Sequence, residues 1–200
     1  MTKNHTRRRF LLATGTLAAG GLSLDGFAHE LYGQELVPTP ACNDGDAPTV
    51  QQTEGPFFKP RSPQRSDLRE AGTGGVVVEL TGLVLTRRCQ PVAGALIDFW
   101  HADRKGDYDN SGFRFRGHQF TDANGRYRFR TIRPAVYSGR TAHYHVKVQP
   151  SGGRILTTQL YFPNEPANRR DSLFRNELLM KIAQAGDGQA VRFDFVLDIR

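Results

Sequence analysis

The stretch FTDANGRYRFRTI, residues 120–132, decides the fold class. Within it Asp122 opens a turn, and Asn124 and Gly125 supply the left-handed backbone that a tight turn needs. Beyond the turn the residues alternate. Tyr127 and Phe129 point to one side, and Arg126, Arg128 and Arg130 to the other. A segment with an aromatic side and an arginine side is a strand lying half-buried on a core, and the whole stretch reads as a hairpin.

The same period of two continues outward in both directions. VVVELTGLVL (76–85) reads as a strand or a strand pair broken at Gly82, and GALIDFWHAD (94–103) sets Ala95, Ile97 and Phe99 against Leu96, Asp98 and Trp100. YHVKV (144–148) and ILTTQLYF (155–162) supply further strands, and in VRFDFVLDI (191–199) Val191, Phe193, Phe195, Leu197 and Ile199 share a face. One short C-terminal helix is expected over 171–185, with Phe174, Leu178 and Ile182 on a stripe and Gly186 as its stop. Short strands at regular spacing with turn signals between them make the fold class all-β, an antiparallel β-sandwich with long loops.

The ends of the chain carry other information. Arg7, Arg8 and Arg9 precede Phe10, Leu11 and a Gly/Ala-rich apolar run, and Gly26, Phe27 and Ala28 offer a cleavage site. Residues 1–28 therefore look like a twin-arginine export signal, which places the protein in the periplasm or outside the cell. That route carries folded proteins, often with a cofactor inserted. The apolar run is shorter than the ~20 residues of a stable membrane span, so no membrane insertion is expected. Residues 29–75, rich in Pro, Gly, Gln and Thr, read as an extended arm, and 76–200 as the sandwich domain.

With 38% hydrophobic and 24% charged residues in 200, the chain has enough apolar content for one core. The formal charge of +7 shrinks once Lys3 and the three N-terminal arginines are set aside. No stacking platform is interleaved with the arginines of 126–130, so a nucleic-acid partner has no support. The cysteines, Cys42 and Cys89, suit one disulfide in an oxidising compartment, although spacing does not show that they meet.

Chemistry gathers in PAVYSGRTAHYHVKV, residues 134–148. His143 and His145 stand two apart on a strand and so project from one face, as two ligands of one metal must. Tyr137 lies just before them, and Tyr108 sits in the polar loop KGDYDNSG (105–112). A cupin site would want a Glu soon after the His pair, and here Val146 to Pro150 contain no carboxylate. Zinc would need thiolates or further imidazoles. A hard trivalent ion suits phenolate oxygen, which makes mononuclear non-haem Fe(3+) the fitting metal for two phenols and two imidazoles.

TEGPFF (53–58), CQPVAGALIDFWHADRKGDYDN (89–110), FRGHQFTDANGRYRFRTIRPAVYSGRTAHYHVKV (115–148) and LTTQLYF (156–162), taken in order, resemble the intradiol ring-cleavage dioxygenases, most of all the single-domain subunits of the protocatechuate 3,4-dioxygenase type. The resemblance implies a β-sandwich enzyme that opens a catechol-type ring with O2 to a cis,cis-muconate. It implies ferric iron held by Tyr108, Tyr137, His143 and His145, with Tyr137 leaving the metal to carry a substrate proton. Arg140 would lie beside the bound substrate and stabilise charge on the ring, and Gln159 would orient it. Phe57 and Phe58 stand where relatives often carry a tyrosine. The partners implied are a small phenolic substrate and O2, with monomer and homo-oligomer both open. An exported binding module and a family member with altered or lost catalysis are the other readings.

Overall fold

The computed structural model describes residues 42–43 and 47–199; the export signal expected over 1–28 and the start of the arm lie outside the described residues. Val77–Thr86 forms one strand, β1, that runs through Gly82 without a break. It is followed by β2 (Leu96–Trp100), β3 (Arg116–Phe120), β4 (Arg126–Ile132), β5 (His143–Gln149), β6 (Leu156–Tyr161), β7 (Lys181–Ala185), β8 (Gly188–Arg192) and β9 (Phe195–Leu197). One sheet has the order β3-β2-β5-β6, all antiparallel. The other has the order β4-β1-β8-β7, and β9 continues beside β1 after β8 ends. β8 and β9 run parallel to β1, a pairing that alternation cannot reveal.

The faces that meet are the ones alternation selects. Val78, Leu80, Tyr127, Phe129, Phe193 and Phe195 come from the β1 sheet and pack against Ile97, Phe99, Tyr144, Val146 and Leu160 from the β2 sheet. Phe99 and Phe129 stack across the gap with ring centres 4.8 Å apart. Each large apolar side chain removed from water here contributes about 1.5–3 kcal/mol. On the outer face Glu79 pairs with both Arg128 (2.9 Å) and Arg130 (2.8 Å), so part of the arginine stripe is neutralised by its neighbour strand.

Two expectations are corrected. The turn at Asp122 forms, with the Asp122 carboxylate accepting the amides of Asn124 and Arg126 and Gly125 at φ +71°. Its two arms, however, enter different sheets: β3 pairs with β2, and β4 pairs with β1. The helix expected over 171–185 is absent. In its place are a 3-10 turn at Asn176–Leu178 and β7, which forms a hairpin with β8 around Gly186 (φ +55°). Of the three residues of the expected stripe only Ile182 lies in a strand, Leu178 ending the 3-10 turn and Phe174 preceding it, so their spacing by four marks buried and half-buried positions without making a helix. Ile182 lies opposite Val191, while Phe174 packs on the Tyr161 ring at 5.2 Å.

The described part of the arm sews the sandwich shut. The backbone of Thr49 bonds Val196 of β9 and that of Gln52 bonds Thr157 of β6, closing one side. Arg65 bonds His118 of β3, and Leu68 and Ser66 bond Arg130 of β4, closing the other. Cys42 and Cys89 are joined, which ties the arm to the turn after β1. Their separation of 47 residues makes this a long closed loop. On the chain-entropy account the bond contributes about 3–4 kcal/mol, so a Cys42→Ser/Cys89→Ser variant should lose about that much in urea titrations. An unchanged midpoint would mean the denatured chain is not constrained by the link. No helix among the described residues is long and apolar enough to cross a membrane.

Candidate active site

Because Tyr144, Val146 and Val148 fill the core, the alternate residues of β5, His143, His145 and Lys147, stand on the outer face of the four-stranded sheet. Register then builds a row across all four strands. Arg116 lies opposite Trp100, Trp100 opposite His145, and His145 opposite Gln159. His143 faces Tyr161 in a neighbouring row. The Trp100 indole stacks flat on the His145 imidazole, 5.0 Å between centres and 8° from parallel. Phe58 covers Trp100 at 5.0 Å, and the Lys147 ammonium sits over Phe58 at 4.1 Å while pairing with Glu54. Gly55 carries φ +71°, and a Cβ there would lie 3.1 Å from His145 Cε1, so the arm needs glycine to press its backbone against the imidazole.

The two tyrosines come from loops that are fixed to each other. Ala135 N–H donates to Asp103 O at 3.1 Å, and Gly106 lies against Val136 O, where a Cβ would be 2.5 Å away. The Asp109 carboxylate accepts the amides of Ser111, Gly112 and Arg114, which folds the loop directly after Tyr108. Tyr137 and Arg140 face each other across a two-residue turn with Ser138 at φ +41° and Gly139 at φ +79°, the doubly left-handed geometry of a primed hairpin turn.

Three atoms converge. His145 Nε2 is 3.0 Å from Tyr108 Oη and 3.1 Å from His143 Nε2, and Tyr108 Oη is 3.5 Å from His143 Nε2. His143 Nδ1 lies 2.6 Å from Thr141 O, which leaves its Nε2 as a lone pair aimed at the same point. Tyr137 stands beside Tyr108, its ring edge-on at 5.5 Å. Phe57 lies flat on Tyr108 at 4.4 Å and edge-on to Tyr137 at 5.3 Å. Arg140 is held from behind: Nε donates to Asp171 (2.9 Å) and Nη2 to Gln159 Oε1 (2.6 Å), while Gln159 Nε2 donates to Thr53 O (2.8 Å). The buried Asp171 carboxylate also accepts the amides of Thr141 and Leu173.

Burial keeps this cluster neutral. It lowers His143 to about 4 and His145 well below the usual imidazole range. Burial also raises the Tyr108 phenol, against the opposing charges of Arg140 and Arg116. Two neutral imidazoles present their Nε2 atoms to each other and to a phenol oxygen, a set of donors that a cation at that point would satisfy. Metal–nitrogen bonds of about 2.1 Å at right angles place ligand atoms about 3 Å apart, which is the spacing found here. His145 Nδ1 is buried without a partner, so nothing on that side competes for the orientation of the ring. Among the described residues no three His, Cys, Asp or Glu side chains gather around a point that could hold a metal ion. The two imidazoles and the phenol fit a hard, highly charged ion.

Residues 53–199 match the family model described as Dioxygenase. The chain belongs to the intradiol ring-cleavage dioxygenase family. It is 53% identical to the dioxygenase domain of a dioxygenase carbohydrate-binding protein fusion from the cellulolytic bacterium Streptomyces sp. SirexAA-E, with a TM-score of 0.75 over 77% of this chain and 100% of that one. It is 29% identical to the chlorocatechol 1,2-dioxygenase of Rhodococcus opacus, over 96% of this chain and 86% of that protein. The protocatechuate 3,4-dioxygenase beta chain of Burkholderia cepacia is 29% identical over 63% of this chain and 65% of that protein. The chain spans 56% of the length of the Acinetobacter baylyi catechol 1,2-dioxygenase. As a member of this family it is a ring-cleaving oxidoreductase.

In this dioxygenase, polar atoms of Tyr108, His143 and His145 converge, Tyr137 stands ring to ring beside Tyr108, and Gln159, opposite His145 in the sheet, links to Arg140. Asp171, Trp100 and Gly55 contact them and Arg116 bonds the backbone next to Tyr108, and none of the four was singled out by sequence reasoning. Asp171 lies 31 positions from Arg140, and no local pattern links the two. His118 is apart from the cluster, its Nδ1 2.7 Å from Ser62 O, and His101 is buried between Ala102 O and Thr131 Oγ1, both at 2.6 Å.

The neutral imidazoles give the metal-free fold a pH signature. Burial lowers His101 to about 3 and His143 to about 4, whereas an unfolded chain protonates its histidines near 6.5. Between about pH 6.5 and 4 the unfolded chain therefore binds more protons, and stability falls as pH drops through that window. Urea midpoints of chelator-treated protein should be clearly lower at pH 5 than at pH 7. Equal midpoints would mean that these rings are hydrated in the fold.

Proposed function

We propose that the chain opens a catechol-type ring between its two hydroxylated carbons with O2, giving a cis,cis-muconate-type dicarboxylate, at a ferric ion held by Tyr108, Tyr137, His143 and His145. The observation that carries this reading is the convergence of two neutral imidazole nitrogens and the Tyr108 oxygen on one point in a chain of this family. Held by these residues, a ferric ion would supply Lewis acidity that favours the phenolate form of its ligands and of a diol substrate.

The chain's own residues do the rest. Thr141 O holds the His143 ring by its Nδ1–H and keeps Nε2 free to ligate. Trp100 and Gly55 pack against the His145 imidazole and set its angle. Tyr137, half-buried on a two-residue turn, can swing without unravelling a strand, and its Oη takes a proton from the diol. Arg140, fixed by Asp171 and Gln159, is a permanent cation that stabilises negative charge developing on the ring. Phe57 and Phe58 wall the site with apolar rings, which suits an uncharged aromatic diol. The twin-arginine pattern supports work outside the cytoplasm, where such phenols arrive from the surroundings.

The test is a visible absorption spectrum of the ferric-loaded protein before and after anaerobic addition of catechol, followed by admission of O2. A phenolate-to-iron band that shifts with catechol, and a dicarboxylate product after O2, are expected. A protein that stays colourless after ferric reconstitution would overturn the assignment.

A further inference from the structure

Arg116 is 1% exposed, yet each of its hydrogen bonds goes to a backbone carbonyl and none to a carboxylate. Nε and Nη2 donate to Asp109 O at 3.1 and 3.0 Å, and Nη1 donates to Phe57 O at 2.6 Å. Asp109 directly follows Tyr108, and the Phe57 ring is the one that lies on Tyr108, 4.4 Å away and 14° from parallel. One guanidinium thus grips the main chain on both sides of that stack. The Asp109 carboxylate is occupied by loop amides and leaves the guanidinium unneutralised by contact. Lys59 adds a second tie between the same segments, donating to the carbonyls of Asn110 and Gly112.

A buried guanidinium that finds only carbonyl partners costs free energy that an apolar residue would not. Packing alone does not ask for it. Its position explains it: Arg116 stands in the same cross-strand row as His145, with Trp100 between them. That permanent positive charge is within electrostatic reach of the Tyr108 oxygen, as it is of the Asp109 and Asp98 carboxylates.

We propose that Arg116 is a positioning residue of the site, whose guanidinium fastens the Phe57 ring onto Tyr108 and sets a fixed positive charge within electrostatic reach of that phenol. The inference rests on the reading of Tyr108 as a metal ligand. Arg is suited to this where Lys is not, because its planar fork reaches two main-chain segments at once while keeping its charge.

The test uses the full-length protein with R116Q and R116K. Hydrogen exchange is measured on the metal-free forms, and the visible band and turnover on the ferric forms. R116Q should exchange faster in residues 55–59 and 107–113 and nowhere else. Its band should move to longer wavelength, because a phenolate without a nearby cation gives up charge more easily. Its kcat should fall about 10- to 100-fold, as loosened positioning does, with a smaller change in KM. R116K should hold the band at the wild-type wavelength while both segments still exchange faster, separating charge from clamp. A folded R116Q with wild-type band and wild-type exchange would overturn the proposal. Should R116Q fail to fold, R116K decides: faster exchange of both segments with an unmoved band supports it, and wild-type exchange defeats it. A wild-type protein without any band would sink the ligand reading alone, since exchange in the metal-free protein still reports on the clamp.

Discussion

His145→Ala should yield a colourless protein whose ring-cleaving rate is down by at least about 10³-fold, equivalent to about 4 kcal/mol of lost barrier reduction. His145 Nε2 is the hub of the site, within 3.1 Å of both His143 Nε2 and Tyr108 Oη. Removing it leaves one imidazole and the phenols, too few donors to hold a ferric ion against hydrolysis. The ring also fills the space between Trp100 and Gly55, so the variant keeps an imidazole-shaped gap. Added imidazole should enter that gap and restore part of the colour. His118→Gln is the control, because His118 bonds Ser62 away from the cluster and its loss should leave the band in place. Metal content by elemental analysis and the visible spectrum of both variants check the prediction. A His145→Ala protein that binds iron and turns over at the wild-type rate would show that the converging atoms are not the metal site.

Gly82→Val should be the most destabilising single change in the β1 sheet, costing upward of about 4 kcal/mol. Phe193 and Asp194 lie between the end of β8 and the start of β9, and there the Phe193 carbonyl turns inward to accept Tyr127 Oη–H at 2.6 Å. An alanine Cβ at position 82 would sit 1.8 Å from that oxygen and 2.8 Å from Tyr127 Cε1. Backbone on both sides is pinned: Phe193 N–H donates to Thr81 O at 3.1 Å, and the fully buried Asp194 carboxylate accepts Leu83 N–H at 2.8 Å. Relief would require pulling β8 and β9 off β1 together, with the loss of the Tyr127 bond and the packing of Phe193 and Phe195. Thermal and urea unfolding of the variant test this. A change of under 1 kcal/mol would mean that the chain around Phe193 moves freely.

Both predictions draw on features that differ in how far the sequence alone exposes them. Tyr127 and Phe129 declare their buried face locally, because a strand puts alternate residues on opposite sides whatever it pairs with. The pairing of His143 with His145 on one face follows from the same period. Tyr108 and Tyr137 are conspicuous because loop phenols have no packing duty. The turn at Asp122 is equally legible, since its hydrogen bonds lie within five residues. The stripe at 174, 178 and 182 is not legible in the same way: its spacing suits a helix, yet the chain passes there through a loop, a 3-10 turn and β7, the last held by pairing with β8.

The sequence by itself therefore determined the fold class, the buried faces, the tight turn and the residues rich enough in chemistry to hold a metal, all of which depend on neighbours within a few positions. Only the tertiary structure decided that the arms of the Asp122 turn part into two sheets, that β8 and β9 lie parallel to β1, and that the arm stitches both open sides. It also decided the row Arg116, Trp100, His145 and Gln159, and the carboxylate of Asp171 behind Arg140. The physical reason is register. Which residue faces which across a sheet is set by the sum of core packing over whole strands, and that sum joins positions dozens of residues apart that carry no mark of one another in the chain.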